Sequence, residues 1–231
     1  MKYKHLFFDL DHTLWDFETN ANETLKEIYQ TNKLDEIGVH DFDVFAKQYS
    51  IHNHKLWDRY TKGFIKQEEL RWKRIWLALL DFKIANETLS RQLSHQFLEI
   101  LPTKTNLFDY TIEILQHLQQ KNYSIHLITN GFENVQLNKL KNANLTSYFN
   151  QVITSEASNS LKPKKEIFEY ALQKSQATFD NSIMIGDNIE ADILGAKNAG
   201  LDTIYVNHLS KEKLPEANYT IFHLQELQDI L

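Results

Sequence analysis

His5-Leu6-Phe7-Phe8-Asp9-Leu10-Asp11-His12-Thr13 is the stretch on which the fold turns. It begins as a short apolar run of strand length and then becomes abruptly acidic. A strand apolar at consecutive positions is covered on both faces, as in a parallel sheet flanked by helices. Residues that follow such a strand stand at its carboxyl end, where open α/β sheets bind their ligands.

Working outward, the next comparable run is Tyr123 to Thr129. Between the two, residues 17–100 hold about four amphipathic helix candidates and no sustained alternation of period two; Phe42, Phe45, Tyr49, His52 and Leu56 illustrate the helical spacing. From about Leu101 onward short apolar runs alternate with helical stretches: Ser124 to Thr129, Val152 to Ser155, Ser182 to Ile185 and Thr203 to Val206. All four tryptophans (Trp15, Trp57, Trp72, Trp76) lie in the N-terminal part, while most glycines fall between Gly131 and Gly200, so two compositions imply two modules. The pattern predicts an α/β fold: a doubly wound, Rossmann-like parallel sheet from residues 1–16 and 101–231, with a helical insertion at 17–100 after the first strand. The first strand then returns to the middle of the sheet.

Composition narrows the class. Of 231 residues, 42% are apolar, 24% charged and 12% aromatic, which fits a soluble globular protein and excludes disordered and fibrous classes. The longest tight apolar run, Ile75 to Leu80, is far short of the roughly 20 residues of a membrane span, so no membrane partner is expected. Asp9 and Asp11 break the opening run before a signal-peptide core could form, and export is not expected. The absence of cysteine rules out disulfides and thiolate metal sites and agrees with a reducing compartment, so a cytoplasmic location is expected. A formal charge of −6 offers no broad basic footprint for a nucleic-acid polymer, but a small anionic substrate could still bind through local groups.

Three apolar runs stop in polar residues suited to chemistry: Asp9-Leu10-Asp11-His12-Thr13, Thr129-Asn130-Gly131 and Gly186-Asp187, with Asp192 one helical turn further and Lys162-Pro163 in a loop between. Each has a plain structural explanation. The first two could be turns, Asp187 could cap the following helix, Lys162 could be a solvated surface charge and Asp192 an exposed helix residue. Their joint occurrence favours a site. Unit charges ~4 Å apart repel by roughly 4 kcal/mol at an effective dielectric of about 20, which a divalent cation would relieve. Oxygen ligands without cysteine suit a hard ion such as Mg²⁺.

Asp9-x-Asp11-x-Thr13-Leu14-x-Asp16, Thr129-Asn130-Gly131, Lys162-Pro163 and Gly186-Asp187-x4-Asp192 together resemble the four motifs of the haloacid dehalogenase superfamily, in order and across the whole core. The resemblance implies a phosphohydrolase in which Asp9 attacks phosphorus to form an aspartyl-phosphate and Asp11 acts as acid, then base. It implies that Asp9, the Asp11 main-chain carbonyl and Asp187 hold Mg²⁺. Thr129 and the amides of Asn130 and Gly131 would grip phosphoryl oxygens, Lys162 would neutralise charge, and Asp192 would act from behind the metal ligands. His12 stands where many relatives have glycine, and Lys165 where a second proline is frequent.

The insertion resembles the superfamily's helical cap, which closes over the site and chooses the substrate. Its aromatics Trp57, Tyr60, Phe64, Trp72 and Trp76 could stack on a base, but their helical spacing predicts that most form the insertion's own core. Thr129-Asn130-Gly131-Phe132 and Asp187-x4-Asp192-Ile193-Leu194-Gly195-Ala196 are most similar to the pyrimidine 5′-nucleotidase branch, which implies nucleoside monophosphates as the small phosphorylated metabolite. A monomer or weak homodimer is expected. A phosphoglycolate or sugar-phosphate phosphatase or a phosphomutase would share the same core residues. A dehalogenase has no need of an acid at position 11. A phospho-accepting receiver, a switch and no enzyme, is disfavoured by Asp11 and the long insertion.

Overall fold

The computed structural model describes residues 2–210 and 212–231. In chain order the regular elements are β1 (His5–Phe8), α1 (Phe17–Thr31), α2 (Phe42–Thr61), α3 (Gln67–Asp81), α4 (Glu87–Ile100), α5 (Thr111–Gln120), β2 (Ser124–Thr129), α6 (Glu133–Asn142), β3 (Gln151–Thr154), α7 (Ser155–Ser158), α8 (Lys165–Ser175), β4 (Ser182–Gly186), α9 (Gly195–Ala199), β5 (Asp202–Val206), β6 (Tyr219–Ile221) and α10 (Leu227–Ile230). A wider π-helical turn, Ile189–Leu194, leads into α9. These form two compact units, Met1–Phe17 with Thr105–Leu231, and Glu18–Lys104.

The first unit is the predicted α/β sheet. All its strands are parallel, in the order β3-β2-β1-β4-β5-β6. The first strand does return to the interior of the sheet, between β2 and β4, and strand order reverses beside it. Phe8 pairs with Leu127 on one side and Ile185 on the other, so Asp9, Thr129 and Gly186 all emerge at the same carboxyl edge. Alternation along each strand sends successive side chains to opposite faces. On one face Phe7, Ile128, Ile153 and Met184 pack with Ile167, Phe168, Ala171 and Leu172 of α8 and with Ala196 and Ala199 of α9. Leu6 and Phe8 turn to the other face and are equally buried.

β6 is an addition to the expected set. At three residues it is too short to carry a period, and it pairs on one side only, with β5. Its neighbour Asn218 ties the edge down by accepting the Thr203 amide at 2.9 Å.

The second unit is helical throughout its regular structure. Asp41 caps α2 by accepting the Val44 amide at 3.0 Å, and Asn86 caps α4 through Leu89 at 3.0 Å. Its core is drawn from Phe45, Tyr49 and Leu56 of α2, Leu70, Ile75, Ala78 and Leu79 of α3, and Leu93 and Phe97 of α4. Arg74 is buried among them, donating to the Leu70 carbonyl at 3.0 Å and to Asn53 Oδ1 at 3.1 Å.

The expectation for the aromatic residues is overturned. None of Trp57, Tyr60, Phe64, Trp72 and Trp76 is buried, and Phe64 is 68% exposed. They flank the buried stripes rather than fill them, because Phe45, Tyr49, Asn53 and Leu56 already occupy the inward face of α2 and Leu70, Arg74, Ala78 and Leu79 that of α3. The rings pair locally, Trp57 with Tyr60 and Trp72 with Trp76 at 5.8 Å between centroids, and Arg91 lies 4.2 Å from the centre of the Trp72 ring. Among the described residues no helix is long and apolar enough to cross a membrane.

Candidate active site

At the carboxyl edge of the sheet, β1 delivers Asp9, whose amide still donates to the Ile185 carbonyl at 2.9 Å as if the strand continued. The chain then turns tightly: the amides of Thr13, Leu14 and Trp15 all converge on the Leu10 carbonyl. His12 sits in this turn at φ 63°, left-handed geometry that glycine adopts freely and L side chains rarely do. The turn brings Thr13 round so that its hydroxyl donates to Asp187 Oδ1 at 3.2 Å.

β4 delivers Gly186 and Asp187. Asn188, not Asp187, caps the following turn, accepting the Ala191 amide at 2.8 Å. That leaves Asp187 available to the site. Asp192 folds back over Gly186, where an added Cβ would lie 2.3 Å from Asp192 Oδ2, so only glycine leaves room for this carboxylate. Asp192 is 1% exposed, which overturns its reading as a surface helix residue. Its Oδ2 accepts the Asn188 amide at 3.0 Å.

Lys162 is no surface charge either; it is 2% exposed. Its ammonium lies 2.5 Å from Asp9 Oδ1, 2.6 Å from Asp192 Oδ1 and 2.7 Å from the Ile128 carbonyl. The first and last of these contacts are hydrogen bonds, and the contact with Asp192 is an ion pair. The Asn130 side chain holds the Lys162 backbone at both ends, donating to its carbonyl at 2.9 Å and accepting its amide at 2.8 Å. The peptide bond from Lys162 to Pro163 is cis. Beside them Thr129 Oγ1 accepts the Gly131 amide at 3.0 Å.

Asp9, Asp187 and Asp192 each offer an oxygen, all within 4.8 Å of one another. Burial, reinforced by Asp192 and Asp11 and opposed by Lys162, pushes the Asp9 carboxyl up to about 7. Burial and the Asp192 and Asp9 charges likewise push Asp187 well above the ordinary carboxylate range. Burial would lower Lys162, but Asp192 and Asp9 outweigh it and raise it. The cluster therefore carries more negative charge than Lys162 alone can balance. Its donors are oxygens only and closely spaced, which fits a hard divalent cation. Asp192 has both oxygens engaged, Oδ1 by Lys162 and Oδ2 by the Asn188 amide, whereas Lys162 and Thr13 each take one oxygen, of Asp9 and of Asp187 respectively.

Asp11 stands apart from this cluster. Its Oδ1 is 2.6 Å from Lys139 Nζ and its Oδ2 accepts Gln136 Nε2 at 2.8 Å, both from α6. Burial raises its carboxyl, but the Lys139 charge and the two hydrogen bonds prevail and hold it below the ordinary value. Sequence reasoning passed over Gln136, Lys139 and the Thr13 contact. In Glu133-Asn134-Val135-Gln136-Leu137-Asn138-Lys139 the polar residues look like a solvated helix face, and only the three-residue spacing of Gln136 and Lys139 hints at a shared partner.

Buried carboxylates and a buried lysine thus gather at the switch point of a parallel sheet, where open α/β sheets bind their ligands. The family model for haloacid dehalogenase-like hydrolases matches residues 3–200, and the chain belongs to that family. By that family the chain is a hydrolase. It is 32% identical over 235 residues to pyrimidine 5′-nucleotidase PynA of Streptococcus pneumoniae, covering 100% of this chain and 96% of that one. It is 30% identical to pyrimidine 5′-nucleotidase YjjG of Escherichia coli, covering 100% and 99%. The magnesium-bound crystal structure of the HAD-hydrolase YfnB from Bacillus subtilis superposes with a TM-score of 0.90 at 26% identity, covering 100% and 99%.

Proposed function

We propose that the chain is a Mg²⁺-dependent phosphatase of nucleoside 5′-monophosphates that works through a phosphoryl ester on Asp9. The observation that carries the reading is the convergence of Asp9, Asp187 and Lys162 at one sheet edge, with Asp11 on the same loop. Two relatives bear the name pyrimidine 5′-nucleotidase, and YfnB was solved with magnesium, which supports both halves of it.

In the first half-reaction an Asp9 oxygen attacks phosphorus, the bond from phosphorus to the ester oxygen breaks, and Asp11 gives its proton to the leaving alkoxide. Asp11 rests as a carboxylate beside Lys139; the approach of an anionic phosphoryl group favours the proton uptake that this step requires. In the second half-reaction water attacks phosphorus, Asp11 takes its proton, and inorganic phosphate and free Asp9 are released. The Thr129 hydroxyl and the Asn130 amide hold phosphoryl oxygens, the Gly131 amide already donating to Thr129 Oγ1, and Lys162 offsets their charge. Mg²⁺, held by Asp9, Asp187 and the Asp11 carbonyl, would supply charge neutralisation between the two anions. Asp192 keeps Lys162 in place. Uncatalysed monoester hydrolysis is slow enough that enhancements reach ~10²¹, so positioning and neutralisation must both contribute.

We assign catalysis to the α/β unit, residues 1–16 and 101–231, and substrate choice to a helical cap at 17–100, whose exposed and half-buried aromatics offer stacking faces for a base. Phosphate release should be measured across nucleoside monophosphates, sugar phosphates and phosphoglycolate, with and without Mg²⁺. Preference for nucleotides, lost on removing Mg²⁺, is expected. Preference for a sugar phosphate or phosphoglycolate would overturn the substrate assignment, and undiminished turnover without a divalent cation would overturn the metal.

A further inference from the structure

Gln136 and Lys139 stand three residues apart on α6 and therefore share a helix face, and both reach Asp11, one to each oxygen. Lys139 is 2% exposed. A buried ammonium is tolerated only where its charge is met. Here it is met by Asp11 and by ring faces, with Nζ lying 4.0 Å from the centre of Trp15 and 5.6 Å from that of Phe17. Gln136 reaches Asp11 by crossing Gly131, where an added Cβ would fall 1.6 Å from Gln136 Nε2. The glycine of the site loop thus clears the path for the glutamine.

The geometry points to Gln136 and Lys139 as positioning residues that fix the Asp11 carboxyl for proton transfer with the ester oxygen and with water; this rests on the phosphatase reading above. A carboxylate has about four lone-pair sites on its two oxygens. One donor on each oxygen pins the plane of the group and leaves a site on each for the travelling proton. A staple between α6 and the β1 loop would not need this arrangement, because apolar packing serves that purpose as well as a buried ion pair or better. Here both donors end on the one site carboxylate outside the Asp9, Asp187 and Asp192 cluster.

The test uses leaving groups of different need. An alkyl phosphate expels an alkoxide that must be protonated, whereas p-nitrophenyl phosphate expels a phenolate stable without a proton. For Lys139→Met and Gln136→Leu, kcat/KM should be measured on p-nitrophenyl phosphate and on the alkyl ester that the wild type hydrolyses fastest. General acid catalysis contributes roughly 10²- to 10⁴-fold, so the alkyl ester should lose at least about tenfold more than the aryl ester. The loss should appear in kcat with KM little changed, and Lys139→Arg, which keeps the cation, should recover part of it. Equal losses on both esters, or a change in KM alone, would reduce the pair to a structural contact and overturn the inference. Should Lys139→Met fail to fold, Gln136→Leu alone decides. A wild type idle on both esters with Mg²⁺ present would bring down the phosphatase reading, and this inference with it.

Discussion

Asp9 must attack an anion while standing among anions, and its surroundings show how that conflict is handled. Burial and two neighbouring carboxylates raise it to about 7, and only the 2.5 Å contact with Lys162 works in the other direction. Asp9→Asn keeps the shape and removes the nucleophile, so we expect a folded protein with its turnover abolished, checked by phosphate release beside a thermal melt. Gly186→Ala should destabilise the protein by about 1–3 kcal/mol in chemical denaturation, because the Cβ collides with Asp192 and displaces it. Asp9, Asp187, Thr129 and Lys162 were legible in the sequence because they stand where apolar runs stop or in the loop between them. Gln136 and Lys139 were not, because a polar residue inside a helix looks the same whether its partner is water or a carboxylate far away in the chain. Asp192 was legible as part of a motif, but its burial follows from the missing side chain at Gly186, which the sequence displays without saying what fills the space.

Among the elements, β1 and β2 share a feature unrelated to the site. His126 is buried in β2, stacked at 4.8 Å on Phe7, with Nε2 3.1 Å from His5 Nδ1. Burial, with a smaller contribution from the His5 charge, lowers it to about 4. The folded chain therefore stays neutral there while the unfolded chain takes up a proton below its ordinary value near 6.5, so this contribution to stability is complete above about 6.5 and fades as pH falls toward 4. Comparing wild type with His126→Phe by denaturation across that window cancels the groups that do not touch His126, and the difference should change by about 2 kcal/mol. A flat difference would contradict it. The helical elements teach a different lesson. The number and spacing of helices in residues 17–100 were readable from periodicity, but period alone does not say which of two adjacent stripes is inward, and polar Asn53 and Arg74, not Trp57 and Trp76, occupy the buried positions. β6 escaped notice because three residues at a sheet edge need neither an apolar run nor alternation.

For the whole molecule, the balance of buried charge is the governing quantity. A divalent cation bound to the folded state alone should stabilise it by about 2.7 kcal/mol at a hundredfold excess over its dissociation constant, or several degrees in thermal midpoint for a chain of this size. Mg²⁺ should produce that rise in the wild type and much less of it in Asp187→Asn. Equal rises would remove Asp187 from the metal site. The claim on which the chemistry depends is that phosphorus passes through Asp9. Acid-quenching the enzyme during turnover and weighing the peptide that carries Asp9 tests it most directly. The account predicts a fraction of that peptide heavier by one phosphoryl group, absent from Asp9→Asn. A phosphoryl group on any other residue, or steady turnover by Asp9→Asn, would contradict it.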